Sequence, residues 1–335
     1  MTKRSPVSWP LQAPKLRVGS MGAGVQSTTM AILSAEGKIE PFDEMIFSDL
    51  FAEPLAVYEH LRFLRSPNVA LPFPITTVSA GDLKADVIAS VDSWREIGGA
   101  ATPRHLWRTA LRVANPPFFT RGPLTIEKRV TLASLPLFDI AEEEVDIIVE
   151  RRTERETFGI LRRWCTKEYK IEPITARIRD LIGLSKGDIG PREPIVELSI
   201  GLTTDELERI TTSDQRYIHH RHPLCEPIEG YPQGMSRGDC IEFLRRRGIV
   251  APKSRCFFCP FQSDELWREL RDNSPEEFAQ AVEFDRAIRN GIRGATTKLY
   301  LHSSRLPLDQ VDFDRPAGLW TVEGLRNECQ GVCGL

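Results

Sequence analysis

Cysteine is missing from the first 164 residues of this 335-residue chain and then appears seven times. Whatever chemistry the thiols carry therefore belongs to the second half. A charge excess is missing too: 44 Lys and Arg stand against 47 Asp and Glu, for a formal net charge of −3. Nucleic-acid binding must then rest on a local patch. No apolar run approaches the length of a membrane span, and the basic start MTKRSPVSWP lacks the apolar stretch of a signal peptide. The expectation is a soluble, cytoplasmic protein without a membrane partner, whose cysteines serve metal or redox chemistry rather than disulfides. Internal repeats and low-complexity segments are absent. The length allows one large domain or two ordinary ones, and a hydrophobic share of 41% can supply a sizeable core.

What is present begins with SMGAGVQST: Ser20, Met21, Gly22, Ala23, Gly24, Val25, Gln26, Ser27 and Thr28. A short apolar run, Lys15 to Val18, precedes it, and Met30 to Leu33 follows. That is the grammar of strand, glycine-rich turn and helix. The glycines free the backbone, the hydroxyls offer hydrogen bonds, and the helix start offers unpaired amides, which together suit a phosphate. The stretch matches neither G-x-x-x-x-G-K-[ST] nor G-x-G-x-x-G, so a tight turn without a ligand is the alternative.

Downstream, Met45 to Pro54 reads as a strand with Asp49 at its carboxyl end. Tyr58, Leu61 and Leu64 repeat at helical spacing, and Phe73 to Leu83 reads as a third strand leading to a helix. Strand alternating with helix predicts an α/β fold with a parallel sheet covered on both faces. Ligands of such sheets bind beyond the carboxyl ends of the strands, which would face Ser20–Thr28, 49–53 and 79–82 toward one crevice. Gly122 to Glu156, rich in Glu and Arg, reads as an inserted hairpin or arm, or as a solvated charged face. A helix is expected from Phe158, with Pro173 breaking it or opening a second one. Others are expected after Thr203 or Thr204, from Ser236 to Gly248, and from Pro275 to Arg289. The tail from Leu319 reads as mobile. These elements divide the chain at residue 185, into a nucleotide-type α/β domain (1–185) and a mainly helical, cysteine-bearing region (186–335).

Cys256-Phe-Phe-Cys259-Pro260 is the second strong signal. Two intervening residues let both thiolates reach one metal or cluster, and the phenylalanines supply a dry shell. An iron–sulfur cluster, a zinc site and a bare cysteine pair compete. Cys329 and Cys333, or His219, His220 and His222, could complete a zinc set. Cys165 lies among arginines and lysines that favour thiolate, or is a small buried hydrophobe. Cys240 reads equally as a buried structural residue, and Cys225 carries no spacing signal. The tail thiols fit a mobile exchange pair or incidental residues. The basic segments 162–170 and 245–255 fit a nucleic-acid backbone or an ordinary solvated surface.

With these pieces in order, the chain resembles the PP-loop adenine nucleotide alpha-hydrolase superfamily, in its phosphoadenylyl-sulfate (PAPS) reductase-like family. SMGAGVQST resembles the PP-loop and FSDLFAEP its second-strand motif. CTKEYKIEPI resembles C-C-x-x-x-K-x-x-P-hydrophobic, with Cys165, Lys170 and Pro173 matched and Thr166 in place of the second cysteine. SRCFFCPF resembles the second cysteine pair of cluster-bearing members, and ECQGVCGL the terminal E-C-G-hydrophobic-H. The resemblance implies a Rossmann-like (HUP/PP-loop) sheet flanked by helices. It implies ATP with Mg²⁺ on Ser20–Thr28, Asp49 and Glu53, and Asp49, Lys170, Cys329 and Cys333 as catalytic candidates. It also implies a 4Fe–4S cluster on Cys165, Cys256 and Cys259, with Cys240 as fourth ligand or the fourth iron open to hold sulfur. The loop departs from S-G-G-x-D-S: lysine is absent and Gln26 precedes Ser27, so Arg17, Lys170 or Mg²⁺ would have to compensate. The expected activity is adenylation of a substrate, a nucleic acid or nucleotide, followed by sulfur transfer from a cysteine desulfurase or other donor. A sulfonucleotide (PAPS/APS-type) reductase and a zinc-containing nucleotide or nucleic-acid binding module are the alternatives, and a homo-oligomer is left open.

Overall fold

Strands that are apolar on both sides need cover on both sides. The computed structural model describes residues 10–101, 106, 109–131, 146–293 and 295–314, with 123–131 and 146–156 described by backbone pairing alone. β1 (Leu16–Met21), β2 (Glu44–Asp49) and β3 (Ile75–Ser79) pair in parallel, connected by α1 (Val25–Ala35) and α2 (Leu55–Leu64). Met45 and Phe47 of β2 pack in one cluster with Met30 and Leu33 of α1 and Val57 and Leu61 of α2. Ile46, one residue out of phase, packs in another with Val18, Leu198, Ile174 and Ile178. The last two belong to α4 (Glu172–Leu181).

β6 (Val196–Ser199) and β7 (Ile218–Arg221) extend the sheet to the parallel order β3-β2-β1-β6-β7. The result is an α/β structure, a five-stranded parallel sheet flanked by helices, compatible with a Rossmann-like fold. Strand order reverses at β1, so the turn after it lies at the switch point where such sheets take ligands. The sheet also crosses the boundary expected at residue 185. β6 and β7 follow that residue yet belong to the sheet, β6 pairing with β1 and β7 with β6.

β4 (Phe119–Thr131) and β5 (Asp146–Ile160) form a long antiparallel pair where the inserted arm is expected, and β8 (Lys298–Tyr300) adds to β4. The remaining helices are α3 (Leu83–Glu96), α5 (Arg237–Arg245), α6 (Asp264–Asn273) and α7 (Pro275–Ile288). A third apolar cluster joins α3, α6, α7 and β8 through Val87, Trp267, Phe284 and Leu299.

Two helix starts differ from expectation. Phe158 to Ile160 belong to β5, because Phe158 pairs with Arg121 across the ladder. The helix begins after them, through a π-helical turn Lys167–Ile171, and Pro173 falls in the first turn of α4, where no amide is required. Thr203 precedes a short 3₁₀ turn, Thr204–Arg209, rather than an α-helix. Ser236 does cap α5, exchanging bonds with Asp239. Among the described residues, no helix is long and apolar enough to cross a membrane.

Candidate nucleotide and thiol site

The turn between β1 and α1 is built for close approach. Ala23 holds φ +52, a left-handed conformation costly for a residue with a Cβ. Gly24, the cap of α1, lies so close to Ser254 that an added Cβ would stand 3.0 Å from the Ser254 Cβ and 3.2 Å from its amide nitrogen. Ser27 Oγ accepts from the amides of Gly22 (3.2 Å) and Gly24 (3.3 Å). An internal hydroxyl thus occupies the donors that a phosphate oxygen would take. The first turn of α1 carries no acid of its own at the positive end of its dipole. Thr28 Oγ1 meets His60 Nε2 at 2.9 Å. Burial pushes His60 down to about 4, which keeps the imidazole neutral at pH 7.

Asp49 ends β2, and its Oδ1 accepts from the Phe51 amide (2.8 Å) and the Tyr58 hydroxyl (2.7 Å). Burial and the neighbouring carboxylate push Tyr58 far above its ordinary range, so it stays a donor. Phe51 sits at φ +55 with its ring 56% exposed, a strained and solvent-facing aromatic immediately after the acid. Four residues beyond Asp49, Glu53 forms a buried ion pair with Lys170 at 3.2 Å. Lys170 is supplied by the π-helical turn, which Ser48 Oγ ties to β2 by donating to the Tyr169 carbonyl at 2.6 Å. Gly22, Ser48, Glu53, Lys170 and Ile174 line a small cleft with room for about one water molecule.

The cysteine motif docks on the loop after β2. The Phe257 amide donates to the Ala52 carbonyl at 2.9 Å, one residue before Glu53. Cys256 is buried, and Cys165 and Cys259 are partly buried against the same apolar cluster, beside Phe257, Phe258 and Tyr169. Three soft thiol donors in one dry cluster suit an iron–sulfur cluster or zinc. Among the described residues, no group of three or more His, Cys, Asp or Glu is gathered as a metal site.

Cys240 is not with them. Cys240, Phe243 and Leu244 form the apolar face of α5 that packs with α1, in the cluster that holds Met45 and Phe47 rather than the one that holds Cys256. Burial pushes its thiol up to about 12, the behaviour of an inert core residue. Cys225 donates to the Leu202 carbonyl at 3.2 Å and is likewise pushed up to about 12. Cys329 and Cys333 lie outside the described residues. His219 and His220 belong to β7, and His222 follows it. β7 is three strands from β2, about 14 Å at ordinary strand spacing, so these histidines do not complete the Cys256–Cys259 pair.

The basic segments separate similarly. Arg245 and Arg246 pair with Glu242, and Arg247 with Glu36, so the α5 arginines sit among their own counter-charges. Arg17 lies 3.6 Å from the buried Glu197, and Lys170 is buried against Glu53. Tyr58, His60, Ser254 and Arg237 are the site neighbours that sequence reading missed. Tyr58 reads as an apolar helix position, and nothing local connects Ser254 to Gly24, 230 residues away in sequence. No protein-family model, curated protein or solved structure matches this chain.

Proposed function

We propose that this chain is an adenine-nucleotide-binding enzyme of the PP-loop type that activates an acceptor by adenylation and exchanges the activated oxygen for sulfur. The observation that carries the reading is the junction of Ala52 and Phe257: the thiol motif and the acid-bearing loop after β2 share a hydrogen bond, and Ser254 covers Gly24. The segment bearing the thiols thereby adjoins both the glycine turn and the loop after β2.

The Gly22–Gly24 turn and the amides of α1 would hold the α-phosphate, where developing charge needs fixed donors. Asp49, a hard oxygen ligand oriented by Tyr58 and Phe51, suits a Mg²⁺ ion travelling with the phosphates. An acceptor oxygen attacks the α-phosphorus, the α–β bond breaks and pyrophosphate leaves. The outer sulfur of a persulfide-bearing donor, such as a cysteine desulfurase, then attacks the acceptor carbon, and AMP departs with the oxygen. A second thiol cleaves the resulting acceptor–donor disulfide, which frees the thiolated acceptor and leaves a new disulfide between that thiol and the donor. Cys165, Cys256 and Cys259 would hold the cluster, which supplies soft sulfur and electron chemistry when bound, with zinc as the alternative occupant. Arg162, Arg163 and Lys167 give the cysteine side of the cleft a local basic character suited to a nucleic-acid acceptor.

One observation favours the sulfonucleotide reductase as second reading. Lys170 is tied to Glu53, which suits a site that binds a nucleotide without splitting its α–β bond.

The test is anaerobic purification with iron, sulfide and zinc analysis, on the native chain and on a Cys256→Ser/Cys259→Ser variant, with ATP binding measured on both. Iron and sulfide should be present in the native protein and lost in the variant, while ATP binding persists. Full iron in the variant, or no ATP binding by the native chain, overturns the proposal.

A further inference from the structure

A triphosphate brings several negative charges to the start of α1, and residues 22–28 contain no cation. Lys170, Arg221 and Arg237 are cations that could answer them. Lys170 is already neutralised by Glu53. Arg221 is held in the sheet by Glu226, Glu197 and Glu40. Arg237 differs from both. It opens α5, is partly exposed, and its Nη1 donates to Gln26 Oε1 at 3.4 Å. Gln26 is the second residue of α1, so this guanidinium stands beside the first turn of that helix.

The partner's chemistry matters. Gln26 is neutral and leaves the charge of Arg237 intact, whereas an acid at that position would cancel it. The amide is also oriented: Gln26 Nε2 donates to Glu206 Oε2 at 3.3 Å, and Glu206 is itself paired with Arg209. The carboxylate nearest Arg237 in the bonding pattern is Asp205, which accepts its backbone amide at 2.6 Å. The side-chain fork of Arg237 remains directed to the start of α1.

We infer that Arg237 binds the β,γ-diphosphate of a nucleoside triphosphate and so separates triphosphates from monophosphates. The inference rests on the nucleotide reading given above. The α-phosphate, common to AMP and ATP, falls to the glycine turn. The distal phosphates extend along the first turn of α1 toward residue 26, where a planar fork can take two oxygens at once.

The experiment titrates the full chain with ATP, ADP and AMP. Arg237→Gln should weaken ATP at least tenfold and leave AMP within twofold, with Arg237→Lys between the two. Unchanged ATP affinity, or equal losses for ATP and AMP, overturns the assignment while leaving the nucleotide reading in place. A native chain that binds neither nucleotide overturns both. A measurement on unaltered protein guards against a misfolded variant: ATP, but not AMP, should shield Arg237 from phenylglyoxal, read by mass spectrometry. Equal shielding by both, or by neither, counts against Arg237.

Discussion

Two buried cations sit in the same parallel sheet's surroundings and have different surroundings of their own. Arg221, at the end of β7, engages Glu226 through Nε (3.0 Å) and Nη2 (2.7 Å), Glu197 through Nη1 (3.2 Å), and Glu40. Every face of the guanidinium fork is used, and the three carboxylates come from separate stretches of chain. Lys170 pairs with Glu53, and the two line a small cleft. The first arrangement fastens an edge strand. The second places a charge pair where a ligand can rearrange it. Burial of charge alone therefore does not mark a functional site here; the company of the charge does.

The sharpest way to break that comparison is to delete each cation. Arg221→Met removes the guanidinium from the buried Glu226 and leaves the buried Glu197 with the more distant Arg17, and should cost about 5 kcal/mol, the upper end for breaking a buried pair. Lys170→Met removes the cation paired with the buried Glu53, and should cost about 3 kcal/mol. Urea unfolding at pH 7 reads both. ATP binding should invert the order: folded Arg221→Met binds normally, and Lys170→Met binds poorly. Equal loss of binding in both would remove the distinction.

Acid sharpens the same contrast through histidine. His60 contacts Thr28 beside the glycine turn, whereas neither ring nitrogen of His222, beyond β7, has a hydrogen-bond partner among the described residues. Burial pushes both down to about 4. The folded values lie below the ordinary 6.5, so the unfolded chain binds the proton more tightly. Stability is whole above about pH 6.5 and falls as pH drops toward 4. By pH 5 each histidine should account for about 2 kcal/mol of the loss. His222→Phe should flatten the acid limb of the stability profile without altering ATP affinity at pH 7. An acid limb unchanged in His222→Phe refutes the assignment.

The sequence made some of this legible and hid the rest for identifiable reasons. β1, its turn and α1 are a local story of glycine, hydroxyl and apolar phase, and the Ser236–Asp239 cap is four residues long. Both could be read directly. Phe158 could not, because its strand identity comes from Arg121, nearly forty residues earlier. β7, Ile-His-His-Arg, hides because a parallel strand with a buried arginine does not look apolar. Counting thiols suggested Cys240 as a fourth ligand, whereas its spacing to Phe243 and Leu244 places it on the face turned to α1. Cys165 and the Cys256–Cys259 pair share a cluster through contacts almost a hundred residues apart in sequence.

The smallest effect is also the most diagnostic of what Asp49 does. Tyr58 donates to Asp49 Oδ1 from half-buried surroundings, and the phenol cannot ionise there. Tyr58→Phe removes one hydrogen bond to a charged acceptor while the Phe51 amide keeps its own, so the expected stability cost is about 1.5 kcal/mol. If Asp49 serves Mg²⁺ and phosphate, loosening it should weaken Mg²⁺-ATP several-fold and leave metal-free ATP almost unchanged. If Asp49 merely ends a strand, both forms of ATP will bind Tyr58→Phe as they bind the native chain. The pair of titrations, with Mg²⁺ and with chelator, therefore separates a ligand-bearing acid from a structural one at a site where the stability change alone cannot.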